Sequence, residues 1–115
     1  MGVLVAISIP IFTSQLEKAR EATDEANIRS LYAECSTAVL TGASDNTAIK
    51  ITKDASGDVS KAEATYTMTQ KTDGLANGDA SITIGGVTIT SAQFTTGTAT
   101  ITVNATGAPT ITIAK

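Results

Sequence analysis

The sequence predicts an α+β domain in which a long amino-terminal helix packs on an antiparallel sheet. Three observations carry this. From Gly2 to about Leu40 the chain has one proline, Pro10, and no further glycine, while its apolar residues recur at helical spacing. From Ile49 onward the period changes to two, aliphatic residues alternating with threonine or serine. A sheet patterned in this way is half-buried, and the only long apolar stripe able to cover it is on the helix.

The helix opens as GVLVAISIPIFTSQLEKAR. At about 1.5 Å per residue it would be roughly 55–60 Å long, against about 30–35 Å for a compact domain of this size. Half of it must therefore project. Its first apolar stripe is Val5, Ile9, Phe12, Leu16 and Ala19, and its second is Ile28, Leu31, Cys35, Ala38 and Val39. The second is rotated from the first by roughly a quarter turn or more, so the two halves face different partners. Residues 1–27 are thus expected to form a projecting stem, and residues 28–115 a globular domain that includes the rest of the helix. Pro10 either kinks or locally breaks the helix, or sits where a first turn tolerates it.

Between the stripes lies EKAREATDEA, in which Glu17 with Arg20, Arg20 with Asp24, and Glu25 with Arg29 stand at pairing distance along a helix. Gly42 offers a carboxy-terminal cap, and residues 43–47 read as a polar loop. Strand patterns follow at Ile49 and Ile51, Tyr66 and Met68, Ile82 and Ile84, Val87 and Ile89, Ile101 and Val103, and Ile111 and Ile113. Gly85-Gly86 suits a two-residue hairpin, Asn77-Gly78 a turn, and residues 104–107 the link between the last two strands. Residues 58–64 fit either a helical turn or the start of a strand.

Composition narrows the functional classes. The chain has 115 residues, a net charge of −3 and 3% aromatic residues, so it offers neither the basic surface nor the stacking platforms of a nucleic-acid binder. It has no histidine and one cysteine, which rules out an internal disulfide and argues against transition-metal or triad chemistry. Cys35, on the second stripe, reads as a small core hydrophobe. No catalytic residue and no cofactor is expected. Asp73, Asn77 and Asp79 are weak calcium candidates, in a spacing that turn chemistry also explains.

The run from Gly2 to Phe12 reaches roughly 16 Å, too short for a hydrocarbon core near 30 Å. Met1 followed so abruptly by apolar sequence suggests a segment whose upstream residues are missing. Burying Val3, Leu4, Val5, Ile7, Ile9, Ile11, Phe12 and Leu16 at about 1.5–3 kcal/mol each gives roughly 12–24 kcal/mol before ordering costs. That rivals the whole stability of a small domain, about 5–15 kcal/mol. The stem therefore needs a second environment, lipid or other copies of the chain.

Gly2-Val3-Leu4-Val5-Ala6-Ile7-Ser8-Ile9-Pro10-Ile11-Phe12, followed by Lys18-Ala19-Arg20, resembles the second half of the amino-terminal helix of type IV pilins and pseudopilins. The likeness covers about the first third of the chain. The rest resembles that family in architecture, and the lack of a cysteine pair makes it most like the disulfide-free pilins of Gram-positive bacteria. The resemblance implies a pilin fold and a subunit of an extracellular filament on the cell surface, serving adhesion, twitching motility or biofilm formation.

It also implies partners. The subunit would sit in the cytoplasmic membrane by its helix, be processed by a prepilin peptidase that leaves a methylated amino terminus in the family, and polymerise with other copies of itself. The chain has no GxxxxGK[ST] loop, so the driving ATPase would be a separate protein. The expected assembly residues are Val3, Leu4, Val5, Ile7, Ile9, Pro10, Ile11, Phe12 and Leu16. Glu17, Lys18, Arg20, Glu21, Asp24, Glu25 and Arg29 would set the stagger between subunits by complementary charge. The alternatives are a pseudopilin of a type II secretion or DNA-uptake system and, in another class, a membrane-tethered adhesin or binding module.

Overall fold

The structure, a computed structural model, describes the backbone of residues 2–75 and 79–115 and the side chains of residues 15–75 and 79–115. The expected Asn77-Gly78 turn lies outside the described residues.

Helix α1 (Gly2–Thr41) is assigned without interruption through Pro10. A 40-residue helix is about 60 Å long, and the molecule measures 69 × 27 × 20 Å along its principal axes. Thr23, Ser36, Thr37 and Thr41 return their hydroxyls to the carbonyl four residues back, so these weak helix formers satisfy their own polar groups on the helix surface. The helix ends at Gly42, whose φ of 80° reverses the chain while its N–H donates to the Ala38 carbonyl at 2.8 Å.

Six strands follow: β1 (Lys50–Lys53), β2 (Val59–Thr67), β3 (Ser81–Ile84), β4 (Val87–Thr90), β5 (Thr98–Asn104) and β6 (Thr110–Ala114). Residues 59–64 of the undecided stretch are therefore strand, and Asp58 precedes it. All pairings are antiparallel, and the strands form two sheets instead of the single sheet expected. One has the order β1-β2-β5-β6, and the other is the hairpin β3-β4. The separation has a local cause at the end of β4. There the Thr90 N–H is taken by the Gln93 side chain at 2.9 Å, and the chain turns through bonds from the Gln93 and Phe94 N–H groups to the Thr90 carbonyl. That turn buries Phe94 completely instead of extending the ladder.

The core lies between α1, the inner face of the large sheet and the hairpin. Ile28, Cys35 and Ala38 of α1 are fully buried, with Leu31 and Val39 partly buried against the same cluster. The sheet presents Ala62, Ala64, Ala99, Ile101 and Ile111, and the hairpin Ile82, Ile84 and Ile89. Three alanines on the two central strands leave room for the helix to approach closely. The opposite face carries Thr65, Thr100 and Thr112 in register across three strands, all outside the core cluster. At the hairpin tip both glycines have positive φ, as a two-residue turn of this hand requires, and the Tyr32 hydroxyl reaches the Gly85 carbonyl at 3.4 Å.

One boundary moves. Among the described residues, hydrogen bonds from α1 to the rest of the chain reach as far as Glu17, so part of residues 17–27 is docked on the body where the sequence predicts a projecting stem. The docking there is made by carboxylates and backbone amides, which an apolar periodicity does not register.

Candidate functional site

Along α1 the side that meets the body runs Glu17, Glu21, Asp24, Ile28, Cys35, Ala38, in helical steps of three, four and seven. Its carboxy-terminal half is apolar and its amino-terminal half acidic. Asp24 is fully buried and Glu21 is 4% exposed. The Asp24 carboxylate accepts from the Thr69 N–H at 2.8 and 3.0 Å, the Thr69 hydroxyl at 2.6 Å, the Gln70 N–H at 2.9 Å and the Tyr66 hydroxyl at 2.8 Å. Such a donor set offsets the cost of burying a charge without any cation. Two turns toward the amino terminus, Glu17 accepts the Lys71 N–H at 2.7 Å.

Glu17, Glu21 and Asp24 are among the charges expected to set the stagger between subunits; the Glu17 and Asp24 carboxylates are engaged by the chain's own backbone, and Glu21 is buried beside them. Of the pairs expected for Arg20, the one with Glu17 is present at 3.8 Å, while the Asp24 carboxylate is held by Thr69, Gln70 and Tyr66. Glu25 and Arg29 pair at 2.7 Å on the surface, and Lys18 is exposed. Lys18, Arg20, Glu25 and Arg29 are thus the members of that set that remain on the outside of the helix. The signal that could have separated the two groups was present: Glu17, Glu21 and Asp24 are in step with Ile28.

Of the expected assembly residues, Leu16 is described and is 40% exposed. Val3, Leu4, Val5, Ile7, Ile9, Pro10, Ile11 and Phe12 have side chains outside the described residues. Among the described residues no helix is long and apolar enough to cross a membrane.

Of the calcium candidates, Asp73 and Asp79 are among the described residues. Asp73 pairs with Lys115 and accepts the Thr96 N–H at 2.9 Å; hydrogen bonding to Lys115, then to Thr96, holds its carboxyl below the usual carboxylate range. Asn77 lies outside the described residues, and no cluster of three or more metal-binding side chains occurs among those described. Burial is the main cause that pushes the Cys35 thiol up to about 11, with Glu34 and Glu63 adding to it. Burial and the bond to Asp24 likewise push the Tyr66 phenol up. A shallow depression of about 640 Å³ at the carboxy-terminal end of α1 is lined by hydroxyls together with Glu34, Asp45 and Asn46, of which Asn46 donates to Glu34.

No family model, no curated protein and no solved structure matches this chain.

Proposed function

We propose that this chain is a structural subunit of an extracellular type IV pilus, with a pilin fold, that polymerises through the apolar amino-terminal part of α1. The observation that carries the reading is the disproportion between helix and body. Hydrogen bonds from the body reach no further up α1 than Glu17 among the described residues, while fifteen helical positions, from Gly2 to Leu16, precede it. That preceding sequence is almost wholly apolar as far as Phe12 and resembles the pilin helix. A stem of this kind is stable only in lipid or among like stems, and a filament core provides the second.

In this reading the subunit waits in the cytoplasmic membrane, a prepilin peptidase and a separate ATPase act on it, and Lys18, Arg20, Glu25 and Arg29 meet neighbouring subunits. The threonine-rich outer face of the sheet would coat the fibre.

The test is assembly in cells carrying a type IV pilus apparatus, with the gene's native upstream sequence in place. Unaltered subunits should give filaments by electron microscopy, and Ile9→Lys should abolish them while leaving the thermal unfolding of the body unchanged. Filaments that persist in Ile9→Lys, or their absence from the unaltered subunit beside a working apparatus, would overturn the reading.

A further inference from the structure

The seam between α1 and the segment Thr69–Lys71 differs in kind from the rest of the helix–body contact. From Ile28 onward the contact is mainly apolar, with polar bonds at its edge from Tyr32 to the Gly85 carbonyl and from Asn46 to Glu34. Above Ile28 carboxylates of the helix meet consecutive backbone N–H groups, Thr69 and Gln70 on Asp24 and Lys71 on Glu17, with the Thr69 and Tyr66 hydroxyls also donating to Asp24. The segment therefore runs along the helix toward its amino terminus, bridging two turns, or about 10.5 Å.

Its other side is anchored in the body. The buried Gln70 amide donates to the Thr72 and Phe94 carbonyls at 2.8 and 3.2 Å, the Gly74 N–H donates to the Phe94 carbonyl, and the Leu75 N–H donates to the Ser91 hydroxyl. Residues 69–75 thus form a strap between the acidic part of α1 and the Phe94 loop. When such a seam opens, water replaces each lost hydrogen bond and little apolar surface is exposed, unlike the contact around Ile28 and Cys35. Ala19, Ala22 and Ala26 on the other sides of this part of α1 are exposed, and the strap, with the Tyr66 hydroxyl of β2 beside it, holds Asp24 and Glu17.

We propose that the strap is a latch that sets the direction in which the amino-terminal helix leaves the body, and that it opens as a local unit while the core stays closed. Asp24 is its principal positioning residue and Glu17 its second. The latch concerns the stem and body of one molecule, so it stands whether or not the filament reading does.

The experiment uses the full chain in detergent micelles. Spin labels are attached through Lys18→Cys and Lys50→Cys, Cys35 being buried. The chain with Asp24 intact should give one narrow distance population, and Asp24→Asn a broad one. In parallel, amide exchange at Thr69 and Gln70 should accelerate at least about tenfold in Asp24→Asn, the loss of charge-assisted bonds, with Ile101 unchanged. Glu17→Ala, at a partly exposed site, should accelerate Lys71 alone. An unchanged distance distribution in Asp24→Asn would overturn the latch. So would equal acceleration at Thr69 and Ile101, which would make the seam part of one cooperative unit.

Discussion

Asp24 and Thr69, separated by 45 positions in the chain, are joined by three hydrogen bonds of 2.6, 2.8 and 3.0 Å, two from the Thr69 backbone N–H and one from its hydroxyl. Asp24→Ala removes the acceptor while the Gln70 N–H and Tyr66 hydroxyl also remain without it. The expected loss is about 2–4 kcal/mol of unfolding free energy, since bonds to charged groups are worth more than neutral ones and the Gln70 N–H stays buried. Urea unfolding measures it; a change below about 0.5 kcal/mol would mean that water replaces the carboxylate without cost.

Phe94 is the largest fully buried side chain among the described residues, on a loop between the two sheets. Phe94→Ala should cost about 3–5 kcal/mol, a large part of the stability expected of a domain of this size. The same unfolding measurement applies, and Leu40→Ala, at a site 86% exposed, is the control that should barely shift the midpoint.

The two hairpin glycines should respond differently to alanine. Both have positive φ, 58° at Gly85 and 83° at Gly86, which strains any residue with a Cβ. At Gly86 a Cβ would meet open space, whereas at Gly85 it would fall within the Tyr32 ring. Gly86→Ala should therefore cost about 1 kcal/mol. Gly85→Ala should cost more and displace Tyr32, visible as changed ring chemical shifts. Equal losses at the two positions would contradict the close approach of Tyr32.

Cys35 should be nearly inert. A thiol pushed from 9.0 to about 11 has about a hundredfold less thiolate at pH 8, and burial slows access further. Iodoacetamide should modify the native chain at least about a hundred times more slowly than the urea-unfolded one. The linkage has a definite sign. Because the folded value is raised, the stability contributed by Cys35 is present below 9.0 and lost as pH rises through about 11. Cys35→Ala should flatten that alkaline decline.

Asp73 gives the acid counterpart. Its carboxyl is held below 3.8 by Lys115 and the Thr96 N–H, so its contribution is present above 3.8 and lost as pH falls through the lower folded value. A carbon-detected NMR titration should place the Asp73 midpoint below 3.8, and Lys115→Met should raise it. The pair is solvent-exposed, and salt should weaken the shift.

By itself the sequence determined the elements and their order. The helical spacing up to Gly42, the alternation of aliphatic residues with threonine or serine in most strands and the Gly85-Gly86 turn are local properties, set by backbone sterics and by the period at which side chains share a face. The same period marked Ile28, Cys35 and Ala38 as the stripe that meets the sheet.

What only the tertiary structure decided is which surfaces those elements join, and how far. Phe94 stands in a stretch without alternation, and nothing near it in the chain announces that the space between sheet and hairpin is its own. Ala62, Ala64 and Ala99 are too weakly apolar to read as core until a helix lies on them. Asp24 shows the difference most clearly. Among Arg20, Glu21 and Glu25 it reads as one more solvated charge, and it becomes a buried acceptor only because the fold delivers the amides of Thr69 and Gln70 to it. Local periodicity fixes the face on which a residue lies, while the donors that make a buried carboxylate stable arrive through long-range topology.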